Sequence, residues 1–130
     1  MAALESSIAG KRCLVVDDQF LIAMDIRQIV EGAGAKSVVC VATGEEALAA
    51  LDSGAIDFAI LDVKLGGELP TSMSIAARLA AEGTPFVFLT GVRIDDPVFR
   101  QFPDTPVIEK PYDVTALLAA IRRAIEQRGS

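Results

Sequence analysis

Ile56-Asp57-Phe58-Ala59-Ile60-Leu61-Asp62-Val63 is an apolar run with Ser53-Gly54 upstream and Gly66-Gly67 downstream, and it ends on a carboxylate. A run this short, rich in Ile and Phe and held between turn signals, reads as a strand buried on both faces. In open α/β sheets, ligands lie beyond the carboxyl ends of the strands, so an Asp at that end faces a site and not the core. An isolated Asp in this position would ordinarily cap the next turn. The residues that the rest of the chain brings beside Asp62 decide between the two readings.

Working outward, short apolar runs alternate with helical patterns, which is the signature of a parallel sheet wrapped by crossover helices. Upstream, Arg12-Cys13-Leu14-Val15-Val16 leads into Asp17-Asp18, and a helix follows with Ile22, Ile26, Ile29 and Val30 on one face, ending near Gly32-Ala33-Gly34. Ser37-Val38-Val39-Cys40-Val41-Ala42 is the second strand. Thr43-Gly44-Glu45-Glu46 has the form of a capping box and opens a helix that buries Ala47, Leu48 and Leu51. Downstream of Asp62, a loop (64–70) precedes a third helix over about 71–82, with Ile75, Ala76 and Leu79 inward. Pro85-Phe86-Val87-Phe88-Leu89 is strand four and stops on Thr90-Gly91. The segment 92–105 should be the most mobile, because Pro97 and Pro103 leave room for only about two helical turns around 98–102. Pro106-Val107-Ile108-Glu109 is strand five, followed by Lys110-Pro111. Asp113 then caps a last helix with Val114, Leu117, Leu118, Ile121 and Ile125 on one face. The fold class is α/β: a five-stranded parallel sheet with helices on both faces, five strands and five helices in one domain over 1–130, its core spanning about 11–127.

Composition bounds the function. At 130 residues and 52% apolar, the chain can bury a core without staples. Its apolar runs fall far below the ~20 residues of a membrane helix, and the N-terminus carries no secretory pattern, so a cytoplasmic protein without membrane partners is expected. The net charge of −6 argues against nucleic acid, whose phosphates need clustered Lys and Arg. Arg122, Arg123 and Arg128 fall in the last helix and suit its dipole. Cys13 and Cys40 read as small, reduced core residues. The chain has no histidine, which excludes Ser-His-Asp and Cys-His catalysis, His-containing zinc sites and a phosphohistidine on this chain.

Right-handed crossovers put every strand's carboxyl end on one edge of a parallel sheet. That gathers Asp17 and Asp18 after strand one, Asp62 after strand three, Thr90 after strand four and Lys110 after strand five. Three neighbouring carboxylates repel one another unless a cation sits among them. An all-oxygen ligand set suits the hard cation Mg²⁺. With an ammonium and a hydroxyl beside the metal, the group forms a site for a phosphoryl group, and Asp62 is its natural nucleophile, forming an aspartyl phosphate.

Val15-Val16-Asp17-Asp18, Ala59-Ile60-Leu61-Asp62, Phe88-Leu89-Thr90-Gly91 and Glu109-Lys110-Pro111 resemble, in order and spacing, the signature blocks of bacterial two-component response-regulator receiver domains. The resemblance extends from about residue 11 to 127 and implies a flavodoxin-like, CheY-like (βα)5 three-layer sandwich. It also implies that Asp62 accepts a phosphoryl group from a phosphohistidine of a sensor histidine kinase or histidine phosphotransfer protein. Asp17, Asp18, Asp62 and the backbone carbonyl of Lys64 would hold Mg²⁺, Thr90 would be the switch hydroxyl and Lys110 the phosphate-binding lysine. The bond before Pro111 would be cis. Signalling would run through protein contacts, with another response regulator as a further possible partner, and the protein would not be an enzyme in its own right.

The chain departs from the family in two places. The loop Val63-Lys64-Leu65-Gly66-Gly67 has glycine where many receivers have proline, and Lys64 and Val92 stand at positions that border the phosphoryl group and would set its hydrolysis. Val107 occupies the place of an aromatic that many receivers swing inward, so that rotamer switch cannot operate. With Phe88-x-Thr90-Gly91, this is similar to the single-domain receivers called FATGUY regulators. The signal would then pass through Thr90-Gly91 into 92–105 and to Tyr112. Three other readings fare worse. A haloacid-dehalogenase phosphohydrolase needs a second Asp where Lys64 stands, an FMN binder would meet repulsion at Asp17-Asp18, and a module that had lost phosphorylation would not keep the full residue set.

Overall fold

The computed structural model describes residues 7–63, 72–91 and 97–129. Five strands, β1 (Arg12–Val16), β2 (Ser37–Val41), β3 (Phe58–Val63), β4 (Phe86–Thr90) and β5 (Val107–Glu109), form one parallel sheet in the order β2-β1-β3-β4-β5. Among the described residues, four α-helices accompany them: α1 (Phe20–Gly32), α2 (Gly44–Asp52), α3 (Ser72–Glu82) and α4 (Val114–Gly129). The fifth expected helix is instead a 3₁₀ helix over Pro97–Gln101. Prolines at 97 and 103 bracket too short a stretch for two α turns, and the segment closes with the i+3 bond from Phe102 N–H to the Phe99 carbonyl, 3.0 Å.

Every residue of β3 is buried, as expected of the central strand of a covered sheet. Alternation along the strands sorts the core into two layers. On one face Cys13, Val15, Ile60 and Leu89 pack with Ile26 and Val30 of α1 and Leu117 and Ile121 of α4. On the other, Leu14, Leu61, Phe86 and Phe88 pack with Leu51 of α2, Leu79 of α3 and Phe99. The buried Ile8 joins the first layer, so the core reaches N-terminal to the expected residue 11. Val114, expected inward, is 48% exposed: it opens α4, and the buried stripe begins one turn later at Leu117. Cys13 is buried, but Cys40, on the edge strand, is only half-buried and donates its thiol to the Ala23 carbonyl.

The chain ends of these elements follow their sequence signals. Thr43 Oγ1 accepts from Glu46 N–H at 3.1 Å, while the Glu46 carboxylate reaches one residue further back than a standard capping box, to Ala42 N–H at 3.0 Å. Asp113 Oδ1 caps α4 by accepting from Thr115 N–H at 3.0 Å. At the amino edge of the sheet, Asp57 brackets Arg12 twice: its carboxylate accepts from Arg12 N–H at 2.9 Å and its own N–H donates to the Arg12 carbonyl at 2.8 Å, which fixes the register of β3 on β1.

Candidate phosphoryl and metal site

β1 and β3 are neighbours in the sheet and run parallel, so Asp17, just past the end of β1, and Asp62, expected after β3 but in fact its penultimate residue, meet at one edge. Asp17 and Asp62 are both buried there, and Asp18 beside them is exposed. One carboxylate oxygen from each of the three lies within 4.8 Å of the others. Lys110, just past β5, extends over this group: its Nζ is 2.7 Å from Asp62 Oδ1, 3.7 Å from Asp17 Oδ2 and 3.3 Å from Gln19 Oε1. Among the three carboxylates and the ammonium, two formal negative charges remain, which one divalent cation would balance.

Asp17 supplies the sharpest test of fit. Its Oδ1 accepts from Gln19 N–H at 2.8 Å, but its Oδ2 is buried and has no hydrogen bond. A buried carboxylate oxygen without a donor is costly unless a cation answers it. The oxygen-only donor set, the short separations and this oxygen, which has the Lys110 ammonium at 3.7 Å but no hydrogen bond, fit Mg²⁺. The capping reading of Asp17-Asp18 accounts for Oδ1 alone: Gln19, not either Asp, is the N-cap of α1.

Thr90 closes β4, fully buried, in register with Val63 on one side and Glu109 on the other. Alternation assigns its side chain to the Phe88 face, whereas Asp17 and Asp62 belong to the face of Val15 and Ile60. Its backbone couples the two: Lys110 N–H donates to the Thr90 carbonyl at 2.7 Å, extending the β4–β5 ladder to the lysine itself. The Lys110–Pro111 bond is cis. Ser72 Oγ donates to the Asp62 carbonyl and joins the start of α3 to the end of β3. Lys64 and Val92 lie outside the described residues.

Two contributors escaped the sequence. Gln19 immediately follows Asp17-Asp18, and that position was the available signal. Asp25, one turn into α1, accepts a hydrogen bond from Tyr112 Oη and ties the segment after Lys110-Pro111 to that helix. Burial first, and then the bond to Asp25 and its negative charge, raise the Tyr112 phenol above the ordinary tyrosine range.

The response regulator receiver domain model matches residues 13–122, which include Asp17, Asp18, Asp62, Thr90 and Lys110. Among curated proteins, the transcriptional regulatory protein YvrH of Bacillus subtilis (strain 168) is 28% identical over 116 residues, 88% of this chain. The chain spans about half of that relative's length, 48%. Among solved structures, SdrG from Sphingomonas melonis Fr1 is 38% identical, with a TM-score of 0.75 over 92% of this chain and 98% of that one. A response regulator receiver protein from Sinorhizobium medicae WSM419 is 26% identical, with a TM-score of 0.79 over 94% and 99%. With a five-stranded parallel sheet whose carboxyl edge collects three Asp and a Lys, and a family match across nearly its whole length, this chain belongs to the response regulator receiver domains.

Proposed function

We infer that Asp62 is the phosphoacceptor of this receiver and that its donor is a phosphohistidine on a sensor histidine kinase or a histidine phosphotransfer protein. One carboxylate oxygen of Asp62 attacks phosphorus and forms the new P–O bond. The bond from phosphorus to the donor imidazole nitrogen breaks, and its electron pair returns to that nitrogen. The observation that carries this reading is the Lys110 ammonium held 2.7 Å from a buried Asp62, beside a second buried Asp whose Oδ2 has no hydrogen bond.

Asp17, Asp18 and Asp62, with the Lys64 backbone carbonyl as the family resemblance implies, would hold Mg²⁺, which when bound offsets charge on the phosphoryl oxygens. Lys110, whose ammonium is already 2.7 Å from Asp62 Oδ1, is the residue expected to pair with a phosphoryl oxygen carried there. Thr90 closes β4 at the same carboxyl edge and is the residue expected to supply the switch hydroxyl. Lys64 and Val92 are the residues expected to tune hydrolysis. Val107 in place of an aromatic, with Phe88-x-Thr90-Gly91, supports a regulator of the FATGUY type acting through protein contacts in the cytoplasm; no helix among the described residues is long and apolar enough to cross a membrane. Incubation with acetyl phosphate should add one phosphoryl group to the intact mass in the presence of Mg²⁺ and none in excess chelator. A gain that ignores the chelator would overturn the metal assignment, and no gain in either condition would overturn phosphoacceptance from small donors.

A further inference from the structure

Gln19 touches both halves of the site. Its backbone N–H holds Asp17 Oδ1, and its side-chain Oε1 accepts from Lys110 Nζ. We propose that Gln19 is a positioning residue for Lys110, taking one donor of the ammonium and so keeping Asp17 Oδ2 open for a divalent cation. The inference rests on the reading that Asp17, Asp18 and Asp62 hold Mg²⁺.

An ammonium has three donors. One goes to Asp62 Oδ1 at 2.7 Å and one to Gln19 Oε1 at 3.3 Å, whereas Asp17 Oδ2, at 3.7 Å, stands outside hydrogen-bond reach. That oxygen is charged, buried and without a hydrogen bond, which makes it the strongest acceptor awaiting a donor nearby. A movement of about 1 Å would bring Lys110 onto it at charge-assisted distance. The ammonium would then span Asp17 and Asp62, the two buried carboxylates a cation needs. Gln19, itself exposed, gives the ammonium a second acceptor in place of that oxygen. Because the grip on Asp17 Oδ1 comes from the Gln19 backbone, a side-chain substitution leaves it intact and removes only the pull on Lys110.

Calorimetric titration of the full chain with MgCl₂ separates the possibilities. Gln19→Met, which keeps length and removes the acceptor, should weaken Mg²⁺ binding about fivefold, the scale of one modest hydrogen bond. In a Lys110→Met background the same substitution should change affinity by less than about twofold, because there is no ammonium left to restrain. Unchanged affinity in Gln19→Met would overturn the proposal. So would an equal loss in both backgrounds, which would mean that Gln19 acts on Asp17 and not on Lys110. Wild-type protein that binds no Mg²⁺ would overturn the metal reading itself and the proposal with it, a result distinct from either of the others.

Discussion

The two faces of the sheet are built from different chemistry. Toward α1 and α4 the buried residues are mainly aliphatic, and the layer ends at its carboxyl edge in Asp17, Asp62 and Lys110. Toward α2, α3 and the 3₁₀ helix, Phe86, Phe88, Phe99 and Phe102 form a connected aromatic group, with ring centroids 5.3 to 5.8 Å apart in edge-on and tilted arrangements. Val107 packs into that second face, partly buried and paired with Phe88. Aromatic volume there comes from β4 and the 3₁₀ helix rather than from β5. The faces meet at the Thr90 carbonyl, bonded to Lys110 N–H. Charge is handled on one side and packing on the other, so substitutions on the two sides should fail in different ways.

Phe88→Ala should do the most damage to stability, about 3–5 kcal/mol, because it empties the centre of the aromatic group. Chemical unfolding would measure it, and a loss below about 1 kcal/mol would show that the four rings do not act as one packed unit. On the ionic face, Lys110→Met should cost about 2 kcal/mol in chelator by leaving Asp17 and Asp62 without their counter-charge. Addition of MgCl₂ should narrow that deficit, whereas the Phe88→Ala deficit should persist. At the amino edge, Asp57→Ala should cost about 1 kcal/mol by freeing Arg12 N–H, with no effect on metal binding.

The smallest effect belongs to Tyr112. As the only tyrosine in the chain, it can be titrated by its own absorbance. Its phenol should ionise above the usual value of about 10, and Asp25→Asn should bring it part of the way down, burial remaining as the larger cause. Since the folded value is raised, the stabilisation from the neutral phenol is fully present below about pH 10 and fades as pH rises from there toward the folded value. A normal titration would contradict the Tyr112–Asp25 tie.

Most of the fold was legible because its signals are local. β1 begins and ends where the apolar run Arg12–Val16 does, Thr43 and Asp113 announce α2 and α4, and strand ends within a parallel sheet necessarily share an edge. Asp17, Asp18, Asp62 and Lys110 were legible for the same reason. What escaped depends on side chains reaching across the chain. Gln19 meets Lys110 over a sequence separation of 91 and Tyr112 meets Asp25 over 87, and nothing in the neighbourhood of either residue encodes its partner. Ile8 stands alone among small and polar residues, so no periodicity marked it as core, yet it is completely buried. Val114 fits the apolar stripe of α4 but falls in the first turn, ahead of its buried stripe.

The central claim is that Asp62 itself receives the phosphoryl group. An aspartyl phosphate is reduced by borohydride to a homoserine residue, which peptide mass mapping locates directly. After phosphorylation with acetyl phosphate and Mg²⁺, homoserine should appear at position 62 and at no other, and the product should vanish in Asp62→Asn. Homoserine at position 17 or 18, or an undiminished yield in Asp62→Asn, would contradict the assignment.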